Sequence, residues 1–456
     1  MASSDRIYSG ATPDQVEADL TTLVDFQNDG LPLEMIDRLV EERLVPHLMR
    51  YDNPAFQSMF NAFPEEGAKW GASVALDWNQ GVTNWQVSPG AAVLEELCMK
   101  ALCQLFGLPS GSAGTVMYCG TYANQQALYM ALHKKAEDRG FDLADVGVRG
   151  FKDPAKLAVV TSEDAHFSLR HALRLLGLGE QCLVTVGVDA NRKIDIVQLR
   201  ETLTALEDTR DVVCVVATAG TTSTGSVDSV ASVADCCDGF DAWLHVDGAY
   251  GLAYKLVPEW DHLFHGIVRA DSISWDPHKQ FGVPIPSSIL FVRRSQDFSR
   301  MALFSSYWNR PGGAEPDPGI KSIPSTRPFT VLPLVTSIRH LGLRGVADRL
   351  RVPLERVKTL AAYLEVQHDM ELCHQPDTGI LCFRLVPGGL SEDQLDQLQQ
   401  DIRDRMMTEG KRTISITQLD GRTVLRLVAV SPTVTTDAIM ATIEDVRRLA
   451  EAECPG

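Results

Sequence analysis

The chain has 456 residues, of which 45% are hydrophobic and 22% charged, and its formal net charge at pH 7 is −18. This length suits two or three domains with a large core, and the acidic excess disfavours nucleic acids and anionic membrane surfaces as partners. No apolar run approaches the roughly 20 residues that span a bilayer. We therefore expect no membrane segment and a small molecule as the partner.

The N-terminus and the cysteines bear on the compartment and on metals. Residues 1–6 have neither the basic start and apolar stretch of a secretion signal nor the arginine-rich pattern of a transit peptide, so we expect a cytoplasmic protein. The ten cysteines are scattered without the paired spacing of zinc ligands. We therefore expect reduced thiols and no metal site.

The first predicted element is a helix from Leu33 to Val45 with an apolar face that includes Ile36. Pro46 should kink or end this helix, because proline lacks the N–H that a helix requires. We assign residues 1–60 to an N-terminal helical segment. A helix of this kind outside the main domain usually packs on another subunit or domain, so it favours a homodimer.

Strand-like runs alternate with helical stretches between about Val116 and Arg294. The clearest predicted strands are residues 157–161, 183–186, 212–217, 243–246, 272–275 and 289–292. Strands that are apolar on both faces and separated by helices are typical of a parallel sheet. We therefore predict an α/β fold with a mostly parallel central sheet in residues 61–326, and ligands are expected at the carboxyl ends of its strands.

A segment rich in Gly, Pro and Ser follows, from Ser305 to Thr326, and it predicts a mobile loop or a domain linker. The remainder, residues 327–456, begins with a long helix from about Val331. Further elements are predicted as strands at residues 380–385, 413–417 and 424–430 and a closing helix at residues 436–450. This order predicts a smaller C-terminal α+β domain.

Two polar residues at strand ends carry the main functional hypothesis. Lys279 follows the predicted strand 272–275, and Asp247 ends the run that begins at Trp243. A lysine that can bind an aldehyde and a buried acid that can keep a ring nitrogen protonated are two groups that a pyridoxal phosphate enzyme needs. The alternatives are a surface lysine after a turn and a structural aspartate, although an unpaired buried carboxylate is costly.

Four other residues could complete a cofactor site. Gly120 and Thr121 lie between a strand-like run and a helix start, where free backbone N–H groups bind phosphate, although an ordinary helix cap has the same letters. His166 follows a predicted strand and could stack on a ring, and Thr222 could offer its hydroxyl to the ring's edge. In isolation, the histidine could equally be a hydrogen-bonded core residue and the threonine a turn cap.

Together these residues resemble the group II pyridoxal-dependent amino-acid decarboxylases of the aspartate-aminotransferase fold, known as fold type I. The similarity follows the family's order along nearly the whole chain, through segments 54–56, 85–89, 119–124, 164–166, 220–225, 245–251 and 276–279. The resemblance implies pyridoxal 5'-phosphate as cofactor. The implied contacts are Lys279 at the aldehyde, Asp247 at the ring nitrogen, His166 and Ala249 on the two ring faces, Gly120 and Thr121 at the phosphate, and His278 beside both phosphate and lysine.

The implied reaction is decarboxylation of an L-α-amino acid to an amine and carbon dioxide. Two enzymatic alternatives stay open, a carbon–carbon lyase and a decarboxylating aldehyde synthase, because residues 279–293 also resemble the sphingosine-phosphate lyases. In addition, residues 311–324 contain no tyrosine to serve as the proton donor of the animal enzymes. Tyr307 is the nearby candidate for that duty, and His166 or Lys279 could serve instead. An inactive cofactor-binding scaffold is the non-enzymatic alternative.

Three further residues are candidates for substrate contacts. Phe60 and Trp85 lie in segments that resemble those lining the family's substrate pocket, although side chains of this kind are often core. Arg426 resembles a small-domain arginine that meets a substrate carboxylate in glutamate decarboxylases, and a guanidinium suits that bidentate contact. An arginine on a half-exposed strand needs no such role. If Arg426 does bind substrate, an acidic amino acid is favoured.

Overall fold

The computed structural model describes residues 6–27, 29–304 and 315–453. By their contacts, these residues form two units. The first unit contains the chain up to Phe63, Pro353–Gln375 and the chain from Gly379 onward. The second contains Pro64–Val352 and Pro376–Thr378. The domain borders predicted from the sequence stay a prediction about which segments fold independently.

The helices and strands of the described residues are numbered here in chain order. The α-helices are α1 (Pro13–Leu20), α2 (Leu33–Leu39), α3 (Glu66–Trp78), α4 (Pro89–Leu105), α5 (Gly120–Asp138), α6 (Leu143–Val146), α7 (Ser168–Leu175), α8 (Ile196–Leu206), α9 (Val230–Cys237), α10 (Val331–Leu364), α11 (Glu392–Glu409) and α12 (Thr436–Glu453). The strands are β1 (Ala113–Met117), β2 (Leu157–Ser162), β3 (Leu183–Val186), β4 (Asp211–Thr218), β5 (Trp243–Asp247), β6 (Ser272–Trp275), β7 (Ser288–Val292), β8 (Met370–Leu372), β9 (Ile380–Leu385), β10 (Ser415–Leu419) and β11 (Arg422–Val428).

The second unit contains a seven-stranded sheet in the order β1-β7-β6-β5-β4-β2-β3. Strand β7 is antiparallel to both neighbours and the other pairs are parallel. Every residue of β2, β5, β6 and β7 is buried, and β2 and β7 have the mainly apolar sequences that burial on both faces favours. The prediction of an α/β fold with a mostly parallel sheet is confirmed. Because β1 and β6 both oppose β7, the carboxyl ends of β1, β2, β4, β5 and β6 lie at one edge.

Helix α5 is the central helix of the second unit and packs on β4, β5, β6 and β7. Its buried residues include a row of small side chains, Ala123, Ala127 and Ala131, whose spacing of four positions keeps them on one side. Small side chains let the helix approach the sheet closely. The helix begins at Gly120, directly after β1, so its N-terminus lies at the edge where the parallel strands end.

The first unit has a four-stranded antiparallel sheet in the order β10-β11-β9-β8, against which α11 packs. The sequence pattern predicted β9, β10 and β11, the last two with their ends displaced by about two residues, and missed the short β8. The single α-helix expected from Leu33 to Val45 is wrong in part, because α2 ends at Leu39 and the chain continues as a π-helical turn (Val40–Leu44) and a 3-10 turn (Val45–His47). Pro46 lies in the last of these turns, where it cannot continue a regular helix.

Helix α10 is interrupted at Gly342, where φ is +64°. That backbone conformation favours glycine, since other residues carry a Cβ that crowds it. None of the described helices is both long enough and apolar enough to cross a membrane.

Candidate functional site

The strand ends of the second unit place Asp247 between Thr218 on β4 and Ser274 on β6. Asp247 is only 5% exposed. Its Oδ1 accepts hydrogen bonds from the Ser274 hydroxyl at 3.1 Å and the Ala249 N–H at 3.2 Å, and its Oδ2 accepts one from Asn124 Nδ2 at 2.7 Å. Because all three neighbours donate, they favour the ionised carboxylate.

The charges around Asp247 act in the same direction. Burial raises the pKa of this carboxyl, but the positive charges that His245, Lys279 and His166 carry at acidic pH outweigh burial, and the net pKa lies below its usual value. The protein therefore presents a buried acid that stays charged at neutral pH. Such a group can pair with a protonated ring nitrogen.

Lys279 lies in the turn that follows β6. The Asp276 N–H donates to the Ala249 carbonyl at 3.1 Å, and the Lys279 N–H donates to the Asp276 carbonyl at 3.0 Å, which closes the turn. Lys279 Nζ lies 3.2 Å from Asp276 Oδ2. Asp276 Oδ1 is buried and has no hydrogen-bond partner among the described residues. The lysine is thus held at the strand edge beside a carboxylate with an open acceptor.

His278 lies in the same turn. Its Nδ1 accepts a hydrogen bond from the Ser287 N–H at 3.2 Å, and its Nε2 lies 3.7 Å from Asp276 Oδ2. Burial lowers the pKa of His278, so the ring is neutral near pH 7. A neutral ring with Nδ1 accepting carries its hydrogen on Nε2.

The N-terminus of α5 forms a close-fitting cradle. A Cβ at Gly120 would lie 2.8 Å from Asp276 Oδ2 and 3.0 Å from the Ala249 Cβ, so a side chain at this position would force its neighbours to move. Thr121 is half-buried beside it. The first N–H groups of a helix have no partner within the helix, and they attract anions such as phosphate.

His166 follows β2 immediately before α7. Its Nδ1 accepts a hydrogen bond from the Ser168 N–H at 3.2 Å, and burial lowers its pKa. The neutral ring therefore carries its hydrogen on Nε2. Asp164, two residues earlier, accepts hydrogen bonds from Arg192 Nε at 3.0 Å and Nη2 at 2.8 Å. This bidentate pair is mostly buried and holds the loop that carries His166.

The other predicted residues are divided between the two units. Ala249 is buried two residues after Asp247, and Thr222 is half-buried in the turn after β4. Trp85 is 44% exposed and belongs to the second unit as well. Tyr307 lies outside the described residues.

Phe60 and Arg426 belong to the first unit, where they contact each other. The guanidinium carbon of Arg426 lies 5.1 Å from the centre of the Phe60 ring. Arg426 is only 6% exposed on β11, a strand paired on both sides, so the expectation of a half-exposed strand is wrong at this position.

Sequence reasoning missed two residues next to Asp247, Asn124 and His245. Both residues are buried. Asn124 donates a hydrogen bond to Asp247 and accepts one from His245. Periodicity offered a signal for each, because Asn124 follows Gly120 by one helical turn and His245 precedes Asp247 by two strand positions. Each therefore points the same way as a residue that was already a candidate.

Comparison with known proteins decides the family. Residues 13–386 match the model of the pyridoxal-dependent decarboxylase conserved domain. The chain belongs to this family. The decarboxylase is 29% identical to L-2,4-diaminobutyrate decarboxylase of Acinetobacter baumannii over 82% of this chain and 75% of the relative. It is 27% identical to aromatic-L-amino-acid decarboxylase of Bacillus atrophaeus over 83% of this chain and 77% of that one.

A solved structure of a decarboxylase domain has the same fold as this chain. The glutamate decarboxylase domain of diaminobutyrate-pyruvate transaminase and L-2,4-diaminobutyrate decarboxylase from Vibrio parahaemolyticus superposes with a TM-score of 0.88 at 26% identity, covering 98% of this chain and 91% of that one. The predictions of the family, of pyridoxal phosphate as cofactor and of amino-acid decarboxylation are confirmed.

The residues of the second unit fit this cofactor. The close-fitting N-terminus of α5 at Gly120 suits a phosphate group. The three hydrogen-bond donors around Asp247 favour its ionised carboxylate, which can pair with a protonated ring nitrogen. Lys279 provides a primary amine at the same edge of the sheet. The decarboxylase therefore brings the three kinds of group that pyridoxal phosphate needs into one unit.

Proposed function

We propose that the decarboxylase binds pyridoxal phosphate covalently through Lys279, pairs its ring nitrogen with Asp247, and converts an L-α-amino acid to the corresponding amine and carbon dioxide. The supporting observation is the buried carboxylate of Asp247, which three donors surround and on which the charge of Lys279 acts. Bound pyridoxal phosphate supplies a protonated ring that accepts the electron pair left on the α-carbon when carbon dioxide departs.

The remaining cofactor contacts each have one task. The N–H groups at Gly120 and Thr121 bind the phosphate, because they lie at a helix N-terminus, and His278 lies beside it. When the cofactor is bound, His166 and Ala249 would lie against the two ring faces, and Thr222 would donate its hydroxyl to the ring's edge. These contacts orient the ring, and a fixed ring decides which bond of the α-carbon is aligned for cleavage.

Three groups are candidates for returning a proton to the α-carbon. His166 holds a hydrogen at Nε2, since its Nδ1 accepts the Ser168 N–H. Lys279 Nζ and the Tyr307 hydroxyl are the other two candidates. Tyr307→Phe, assayed with dioxygen present, separates them. Loss of amine with appearance of aldehyde, ammonia and hydrogen peroxide would assign the proton to Tyr307, whereas unchanged amine formation leaves His166 and Lys279.

The chemical class of the substrate's side chain is a separate part of the proposal. Two relatives are named as decarboxylases, one of L-2,4-diaminobutyrate and one of aromatic L-amino acids. Arg426 packed on Phe60 favours an acidic side chain instead, because a guanidinium binds a carboxylate through two hydrogen bonds. We propose Arg426, Phe60 and Trp85 as substrate contacts. Arg426→Leu should then raise KM for acidic substrates far more than it lowers kcat, and an unchanged KM would remove Arg426 from the proposal.

A panel of amino acids tests the reaction. The purified protein with pyridoxal phosphate is incubated with diamino, aromatic and acidic L-amino acids, and carbon dioxide and product masses are measured together. The proposal expects one amine and an equal amount of carbon dioxide from at least one substrate. Aldehyde formation, carbon–carbon cleavage or bound cofactor without any turnover would contradict it.

We also propose a cytoplasmic homodimer. In the first unit, α2 leaves apolar side chains in solvent, with Leu33 79% and Ile36 40% exposed, and exposed apolar surface of this kind marks an interaction site. A Leu33→Glu, Ile36→Glu variant should sediment as a monomer while the unaltered chain sediments as a dimer. A monomeric wild-type chain at micromolar concentration would contradict the proposal. Cell fractionation tests the compartment.

A further inference from the structure

Asn124 lies at the centre of a hydrogen-bond network beside Asp247. Its Nδ2 donates to Asp247 Oδ2 at 2.7 Å and to Ser168 Oγ at 2.9 Å. Its Oδ1 accepts from His245 Nε2 at 3.0 Å. Asn124 is only 1% exposed, so water does not replace these partners. Both amide hydrogens and the carbonyl oxygen are used, and no other common side chain of this size offers two donors and one acceptor.

The orientation of Asn124 sets the tautomer of His245. The ionised Asp247 only accepts hydrogen bonds, so the amide nitrogen faces it and the amide oxygen faces His245, whose Nε2 must carry the hydrogen. His245 Nδ1 then accepts from the Ser272 hydroxyl at 2.8 Å, and Ser272 Oγ accepts from Trp243 Nε1 at 2.8 Å. Every donor in this series meets an acceptor.

The protonation of His245 agrees with that arrangement. Burial lowers the pKa of His245 to about 4, although the charge of Asp247 acts in the opposite direction. The ring is therefore neutral at pH 7 and has one hydrogen, which the Asn124 carbonyl accepts. Because His245 is neutral at pH 7, it does not compete as a cation for the Asp247 carboxylate. The carboxylate therefore remains available to the protonated ring nitrogen of the cofactor.

We propose that Asn124 is a positioning residue that holds both Asp247 and His166 for the cofactor, and that neutral His245 keeps its amide in the required orientation. Asn124 reaches His166 through Ser168, whose hydroxyl accepts from Asn124 and whose N–H donates to His166 Nδ1. One side chain thus connects the acid at the ring nitrogen with the histidine at the ring face. The inference rests on the proposed roles of Asp247 and His166.

A simpler alternative is that Asn124 only fills the core of the second unit. Gln126 offers a matched control for that alternative, because it is equally buried on the same helix and its Nε2 donates to the Lys321 carbonyl at 2.6 Å, away from Asp247. Gln126→Ala removes a buried amide without touching the network. Asn124→Ala removes one that contacts Asp247.

The test compares the two variants with the wild-type chain. Each apoprotein is titrated with pyridoxal phosphate, and its melting temperature and the pH dependence of the bound cofactor's visible absorption are recorded. Both variants should melt at lower temperature. Only Asn124→Ala should weaken cofactor binding, by about tenfold or more, and only Asn124→Ala should shift the pH midpoint of the absorption. Equal cofactor affinity in the two variants would overturn the proposal.

A second measurement on the wild-type apoprotein keeps the test independent of whether the variants fold. Nitrogen-15 spectra of histidine-labelled protein, assigned with a His245→Gln variant, should show His245 as the neutral Nε2–H tautomer at pH 7. A charged ring or the Nδ1–H tautomer would overturn the proposal. A wild-type chain that binds no pyridoxal phosphate would instead contradict the proposed function, so the two failures are distinguishable.

Discussion

Replacing Asp247 by asparagine is the sharpest perturbation of the proposed cofactor site. The substitution keeps the shape but removes the charge and turns one acceptor into a donor. Asn124 Nδ2 donates at one oxygen and the Ala249 N–H donates at the other. In either orientation, the new amide nitrogen therefore faces an N–H group. Leaving a buried polar group without its hydrogen bond costs about 1–3 kcal/mol, and the apoprotein should lose that much unfolding free energy.

The effect on cofactor binding should be specific. A hydrogen bond to a charged group is worth about 1.5–3 kcal/mol, so losing the carboxylate should weaken binding of pyridoxal phosphate roughly 10- to 160-fold. The assay is a titration of apoprotein followed by absorbance, beside urea unfolding. Asp271→Asn is the control, because Asp271 is a buried acid that accepts a backbone N–H at the opposite end of β6. An Asp247→Asn variant that binds the cofactor within twofold of the wild type would refute the reasoning.

Three further predictions concern other parts of the second unit. Gly120→Ala should weaken pyridoxal phosphate binding at least about tenfold, because the added Cβ meets neighbours at 2.8 and 3.0 Å, whereas Gly90→Ala in α4 meets nothing within 4 Å and should leave binding unchanged. His245 has its pKa lowered to about 4, so the unfolded chain binds a proton below about pH 6.5 that the folded chain does not. Protonation of this histidine in the unfolded chain should therefore lower the free energy of unfolding, measured by urea titration, by about 2 kcal/mol between pH 7 and pH 4.5. The His245→Gln variant should not show this contribution to the decrease. Glu95→Ala should cost about 3–5 kcal/mol, because it removes the carboxylate that pairs with buried Arg327; a loss below 1 kcal/mol by urea unfolding would contradict this.

The parallel sheet was predictable because its strands are buried on both faces and so read as continuous apolar runs, as in β2 and β4. Asp247 and Lys279 could be singled out because a charged residue at the end of such a run is unusual and strand ends meet at one edge. Local sequence was therefore enough to find these two candidates.

The spacing of Asn124 from Gly120 was a signal, but its role could not be predicted in the same way. Its role depends on contacts with residues 121 and 123 positions away, and those exist only because α5 packs on the sheet. The change from α-helix to π-helical and 3-10 turns after Leu39 and the burial of Arg426 were missed for a related reason. Helical periodicity near a proline and strand exposure both depend on packing that a single sequence does not display.

Reduction with borohydride followed by peptide mass mapping tests the central claim most directly. The protein is purified with pyridoxal phosphate, reduced, digested and compared with an unreduced sample. The account predicts a phosphopyridoxyl group on the peptide that contains Lys279, and no such group when Lys279 is replaced by alanine. Labelling of a different lysine, or no labelling of a protein saturated with the cofactor, would contradict it.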